Sequence, residues 1–325
     1  MLEKGTAKEG GSSFKSEKLD KVLRNKENEV LDYQVASTSG AIKLNYKTQR
    51  DLVVEFFKVL SLAHECVPET VTKADGTKMT FYQGPSPDEV TLVDFAKLQG
   101  FDFKETSDVK ITIELNQWVS PAQEVAYQVF RKMEFNSDRK RMSIVIRDPA
   151  DGHYKMFTKG ADSIIKDRLD PKQVSEKMME GVDDFLMRAS VKGLRTLLMA
   201  MRVIDENEFK AFFGEIAEAE KDVMNRDKIL AQIYDRFERG LVLLGATAVE
   251  DRLQDNVPET INDLQEAGIK IWMLTGDKLE TAENIGYSCR LLQKDMVVWR
   301  ISNKEEVDKI CSLATVEENN RLIML

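Results

Sequence analysis

Nowhere does this chain approach the roughly 20 consecutive apolar residues that a bilayer-spanning helix needs. Its longest apolar stretches, such as residues 241–244 followed by Gly245-Ala246, have the length of a buried strand. The opening residues, Met1-Leu2-Glu3-Lys4, are polar and lack the apolar core of a signal peptide, so the chain taken alone is expected to be soluble. Histidine is scarce: only His64 and His153 occur, which argues against a histidine-rich zinc site. Cys66, Cys289 and Cys311 are odd in number, far apart and match no paired metal spacing. Reduced thiols in a cytosolic compartment are the natural reading. Basic charge is in deficit as well, 47 Lys and Arg against 56 Asp and Glu, for a formal net charge of -9. A general nucleic-acid binder would show a basic face, so no nucleic-acid partner is expected. A nucleotide remains open, because one or two local cations suffice to hold phosphates. The usual phosphate signatures are missing too: no G-x-x-x-x-G-K-[ST], no G-x-G-x-x-G after a strand, and no H-E-x-x-H.

What is present is an ordinary globular composition, 42% hydrophobic and 32% charged over 325 residues, with length enough for two domains. Residues 1–48 are rich in Lys, Glu, Ser and Gly and read as a polar, irregular leader. From residue 49 the pattern changes. Leu52, Val53, Phe56, Phe57, Leu60 and Ala63 recur at helical spacing. Ser86 suits a helix N-cap, Pro87 the first helical position, and Glu89 the third residue of a capping box, with Gly100 as the stop. Residues 125–158 read as an antiparallel meander, broken by turn residues at 136–138 and 148–152. A helix ending at Gly193 and a strand over 194–201 follow, and residues 205–238 read as a pair of charged surface helices. Beyond Arg239, strands at 241–244, 269–274 and 296–299 alternate with helices ending at Gly268 and Ser288, the signature of a parallel β/α unit.

Four segments could carry chemistry. Thr275-Gly276-Asp277-Lys278 follows the expected strand 269–274, where parallel sheets bind ligands. Its Gly admits a close phosphate, its Thr hydroxyl can hydrogen-bond one, and its Asp can serve a magnesium ion. The plain alternative is a strand-to-helix turn. In Glu134 through Ser143, Phe135 could stack on adenine while the cations attract phosphates; equally, Phe135 could be core and Arg139-Lys140-Arg141 a solvated turn. Lys159-Gly160 at a strand end could aim an ammonium at a ligand or form a plain turn. Arg195, in an otherwise apolar strand, needs a partner, whether an internal carboxylate or a bound phosphate. Glu89 already has a structural role as the capping-box acid.

Taken in order, these pieces resemble the phospholipid-transporting branch of the P-type ATPases. The likeness is carried by Ser86-Pro87-Asp88-Glu89, Phe135 through Ser143, Lys159-Gly160-Ala161-Asp162-Ser163 and Gly193-Leu194-Arg195-Thr196-Leu197. It continues in Leu244-Gly245-Ala246-Thr247-Ala248-Val249-Glu250-Asp251 and Ile269 through Lys278. Cation pumps of the superfamily usually have Lys-Gly-Ala-Pro-Glu and Asp-Pro-Pro-Arg, where this chain has Lys159 through Ser163 and Glu250-Asp251-Arg252-Leu253. The resemblance implies an α+β nucleotide-binding domain over 49–238, an antiparallel sheet with flanking helices. A partial α/β, doubly wound phosphorylation domain of the haloacid-dehalogenase type would follow over 239–325. It implies that Phe135 stacks on adenine, that Glu89 and Lys159 line the pocket, and that Arg195 reaches the phosphates. Thr275, Gly276 and Asp277 would handle the transferred phosphoryl group and its Mg2+, so ATP and magnesium are the expected ligands. The partners would be the membrane helices and remaining cytosolic domains of the parent pump, at the cytosolic face of a eukaryotic membrane, with phospholipid met only through that parent.

The family's nucleophile lies in Asp-Lys-Thr-Gly-Thr, and no such sequence occurs; Asp277-Lys278-Leu279 and Asp75-Gly76-Thr77 only imitate it. No residue here is therefore expected to be catalytic, since no covalent phosphoenzyme forms without the aspartate. Two other readings stay open: a non-catalytic interaction or regulatory module that keeps the fold, and a soluble haloacid-dehalogenase-type hydrolase fragment.

Overall fold

The computed structural model describes residues 16–24, 29–72, 78–116, 123–250, 253, 255–275, 279–296, 298–301, 303, 305–306 and 321–324. They form two compact units, residues 1–183 with 197–247, and residues 184–196 with 248–325.

The first unit is built on a seven-stranded sheet. Five strands run as an antiparallel meander: β5 (Phe101–Thr106), β6 (Lys110–Leu115), β7 (Gln123–Met133), β8 (Arg141–Arg147) and β9 (Tyr154–Gly160). β10 (Arg195–Ile204) pairs antiparallel with β9, and β11 (Val242–Val249) lies at the far edge beside β10. Side chains alternate across a strand, so β9 serves two layers. Lys155 on one face meets Glu55 of α2 (Gln49–Leu62), whereas Tyr154 on the other stacks on Phe209 of α6 (Glu206–Ala219) at 3.9 Å. α2 and α3 (Pro87–Leu98) cover the first face, where Phe57 lies 5.5 Å from Phe95 and 5.3 Å from Phe101. On the second face Phe212 of α6 stacks on Phe237 of α7 (Arg226–Phe237). A register shift between Val129 and Arg131 turns both Phe130 and Arg131 toward α6 and α7, where they meet Phe209 and Tyr234.

Two sequence expectations are corrected in this unit. The described part of residues 1–48 is not irregular: it holds α1 (Glu17–Leu23) and an antiparallel hairpin of β1 (Val30–Ala36) and β2 (Lys43–Thr48). Val35 and Tyr46 are buried, and Thr48 closes a capping box with Asp51 at the start of α2. Short alternation of Tyr33, Val35, Leu44 and Tyr46 with polar residues marks half-buried strands and was masked by the polar composition. Residues 241–247, expected to open the second domain, instead form the edge of the seven-stranded sheet, and the division between the units falls after Thr247.

The remaining hairpin, β3 (Val67–Thr72) with β4 (Lys78–Gln83), precedes α3. The short α4 (Asp162–Lys166) follows β9, and α5 (Glu176–Val191) runs on toward Gly193, whose φ of 68° only glycine adopts freely.

In the second unit, α8 (Val257–Glu266) and α9 (Leu279–Ser288) lie where the sequence places helices. The strand expected at 296–299 is β12 (Val298–Ile301), paired in parallel with β13 (Arg321–Met324), a partner the sequence had not signalled. The strand expected at 269–274 is absent. Trp272 and Leu274 are 76% and 93% exposed. An apolar run becomes a strand only when another strand takes its backbone N–H and C=O groups, and among the described residues none does so here. Among the described residues no helix is long and apolar enough to cross a membrane.

Candidate functional site

α3 begins at Gly84-Pro85-Ser86-Pro87, and Pro87 suits its first turn because that N–H would find no helical acceptor. Ser86 has the extended backbone of an N-cap, yet its side chain makes no capping bond. The expected capping box is therefore not formed, and Glu89 is turned elsewhere. Glu89 Oε1 accepts from Lys159 Nζ at 2.5 Å, and Oε2 accepts from the backbone N–H of Glu65 at 3.2 Å.

Lys159 reaches Glu89 because it is the last side chain of β9 on the face covered by α2 and α3. It is only 7% exposed. The glycine after it is a steric requirement rather than a plain turn residue. A Cβ on Gly160 would lie 2.7 Å from both Arg141 Cβ and the Lys140 carbonyl oxygen. Only glycine lets β9 end this close to β8.

Phe135 stands two residues beyond β7 and is 59% exposed. The alternative that it belongs to the core is thereby excluded. Its backbone lies beside the Glu65 carboxylate, which is also near Glu89, Glu134 and Lys159. Burial, followed by the negative charges of Glu89 and Glu134, raises the Glu65 pKa above the usual carboxylate range. The first unit thus gathers Glu89, Lys159 and Phe135 around Glu65. Sequence reasoning passed over Glu65, because an acid between a helix end and a strand carries no signal of its own.

The neighbours of this acid are held in neutral form. Burial, helped by the Lys159 ammonium, lowers His64 to about 3. Its Nδ1 accepts the Cys66 N–H at 3.2 Å, which leaves Nε2 as the donor to the Ser61 carbonyl at 2.9 Å. Burial and then the Glu89 charge push the Cys66 thiol up to about 12, so it is an inert packing group rather than a nucleophile.

Of the cations in the 139–141 turn, Lys140 is exposed, whereas Arg139 and Arg141 are largely withdrawn from solvent. Arg139 and Arg141 both bind the buried carboxylate of Glu238. Arg195 opens β10, is half-buried and falls in the second unit. Thr275 is exposed in an irregular segment of that unit, and Gly276 and Asp277 lie outside the described residues. Among the described residues no three of the His, Cys, Asp and Glu side chains are gathered so as to hold a metal ion.

An exposed aromatic ring beside a carboxylate–ammonium pair suits a flat heteroaromatic base bearing both donors and acceptors. The family model of the P-type ATPase cytoplasmic domain N matches residues 53–256. A probable phospholipid-transporting ATPase 12 of Arabidopsis thaliana is 40% identical over 77% of this chain and 21% of its own length. The phospholipid-transporting ATPase IC of Xenopus tropicalis is 45% identical over 75% of this chain and 18% of its own. For the phospholipid-transporting ATPase DRS2 of Saccharomyces cerevisiae the identity is 42%, over 82% of this chain and 19% of its own. The chain thus spans about a fifth of the length of the curated relatives it matches. A sheet-and-helix unit that carries most of the matched residues, together with relatives of one kind, leaves a single assignment: this chain belongs to the P-type ATPases and contains their cytoplasmic domain N.

Proposed function

We propose that the first unit binds ATP, with the adenine on the exposed ring of Phe135 and its polar edge toward Glu89 and Lys159. The observation that carries this reading is the solvent-facing Phe135 ring on a turn beside Glu65, whose N–H donates to Glu89 of the buried Glu89–Lys159 pair. Lys159 donates from a nearly dry position, where a charge-assisted hydrogen bond is stronger than in water. Glu89 fixes where that ammonium points and leaves carboxylate lone pairs for an exocyclic amine. Arg195 contributes to the phosphates, and Thr275, Gly276 and Asp277 to the transferred phosphoryl group. Magnesium, when bound with the nucleotide, neutralises charge on the phosphate oxygens.

In the parent protein this binding would feed magnesium-dependent ATP hydrolysis coupled to phospholipid movement, at the cytosolic face of a membrane. The 325 residues contain no Asp-Lys-Thr-Gly-Thr, so the chain by itself holds ATP without turning it over. Calorimetric titration of the chain with ATP tests the reading. Saturable binding is expected, weakened at least about fivefold in Phe135→Ala by loss of base stacking on the order of 1–3 kcal/mol. A folded chain that does not bind ATP would mark a module that has kept the fold without the ligand.

A further inference from the structure

The turn that carries Phe135 is held from below by a carboxylate that takes no part in the Glu89–Lys159 pair. Glu238 caps the C-terminus of α7 and is fully buried. Its Oε2 accepts from Arg141 Nε at 2.7 Å; its Oε1 accepts from Ser143 Oγ at 2.6 Å and from Arg139 Nη2. Arg139 then reaches back along the turn. Its Nη1 donates to the Glu134 carbonyl at 2.6 Å, and its backbone N–H donates to Asn136 Oδ1 at 2.7 Å. Phe135 thus sits between the two residues that Arg139 grips. Lys140 closes the turn in the left-handed region, φ 50°, with its N–H on the Asn136 carbonyl at 2.8 Å. A non-glycine residue persists there only when its surroundings hold it.

Three arginines share two carboxylates in this cluster. Arg141 is shared with Asp235 at 3.1 Å, and Asp235 also binds Arg168. A buried ion cluster of this kind adds little net stability, because desolvation offsets much of the attraction, yet it fixes geometry. What it fixes here is the one described stretch that presents Phe135 to solvent.

We propose that Glu238 is a positioning residue for nucleotide binding, holding the 134–140 turn through Arg139 so that the Phe135 ring is already set for a purine base. The inference rests on the stacking role given to Phe135 above. Pre-ordering the turn removes an entropic cost that the ligand would otherwise meet on binding.

The experiment is ATP affinity by calorimetry on the intact chain, for Glu238→Gln and Arg139→Met, each alone and combined with Phe135→Ala. Glu238→Gln keeps the shape and one acceptor. Arg139→Met cuts the same link from the other end while leaving Glu238 paired with Arg141, and serves if the first variant does not fold. Each single change should weaken ATP binding about fivefold or more, the size of a typical coupling between contacting residues. Inorganic tripolyphosphate, which has no base, should lose no affinity in either variant. In the Phe135→Ala background, neither change should cost anything further, because the ring it positions is gone. Losses that multiply with Phe135→Ala, or that appear equally for tripolyphosphate, would overturn the positioning role and leave the stacking role standing. Phe135→Ala without effect in the unaltered chain would remove both.

Discussion

Lys159→Met separates what the Glu89–Lys159 pair does for the fold from what it does for the ligand. The two side chains are 8% and 12% exposed and 2.5 Å apart. Removing one partner of a buried pair costs about 3–5 kcal/mol, because the other charge is left unpaired. Glu89 keeps the Glu65 N–H and some solvent, which puts the expected loss at the low end, about 3 kcal/mol. The Glu65 carboxylate lies close by and repels the stranded one further. For a domain of this size that corresponds to a fall in Tm on the order of 10 °C, read by far-UV circular dichroism. Adding Glu89→Gln removes the stranded charge, so the double variant should regain most of the lost Tm. ATP affinity should behave differently. It falls roughly tenfold or more with the loss of a charge-assisted hydrogen bond of about 1.5–3 kcal/mol, and Glu89→Gln cannot restore it. Additive losses of Tm in the double variant would refute the coupling of the two residues. Recovery of ATP affinity along with Tm would refute a direct role for Lys159 at the ligand.

Asp148 is fully buried and accepts from Lys58 at 2.7 Å and Lys155 at 2.8 Å. Burial alone would raise its pKa, but the two ammonium groups outweigh burial and hold it at about 2. Because this value lies below the unfolded one of 3.8, its share of stability, about 2 kcal/mol, is present above pH 4 and is lost as pH falls toward 2. The stability gap between the chain and Asp148→Asn, followed by urea unfolding, should therefore narrow over that window; a gap constant from pH 6 to pH 2 would contradict the ion-pair account. Gly160→Ala places a methyl group against the backbone of Lys140 and Arg141, an overpacking that costs about 1–3 kcal/mol. Because it displaces the end of β9, ATP affinity should fall with stability, and a variant unchanged in both would show that β8 and β9 do not close this tightly.

The elements most legible from sequence were those whose signal is local. Pro87 after Ser86 placed the start of α3, Gly193 the end of α5, and the apolar spacing of 279–288 the whole of α9. Only the middle of the sheet, β7 to β9, was readable as a meander, because the turns at 136–138 and 148–152 carry their own turn residues; β5 and β6 were not read. Errors arose where a segment depends on partners distant in the chain. Residues 241–247 and 269–274 are both short apolar runs beside charged neighbours; one pairs with β10 and becomes β11, while the other has no strand beside it among the described residues. Nothing within either run distinguishes the two outcomes.

The candidate site shows the same division at the level of side chains. Phe135 and Lys159 were singled out as residue types at strand ends, and their exposure and burial then excluded the core reading of the one and the plain-turn reading of the other. Glu89 was found for the wrong reason: the spacing of a capping box is also the spacing that turns an acid toward the end of β9, and only the position of Lys159 selects between them. Glu65 and Glu238 were not found at all. Each is an unremarked acid near a helix terminus, and each acquires its role through a backbone or guanidinium group more than 65 residues away in the chain. A ligand-facing residue must carry the chemistry that meets the ligand, so its type narrows the guess. A residue that fixes another in place needs only the right charge at the right point in space, and that point is created by the fold.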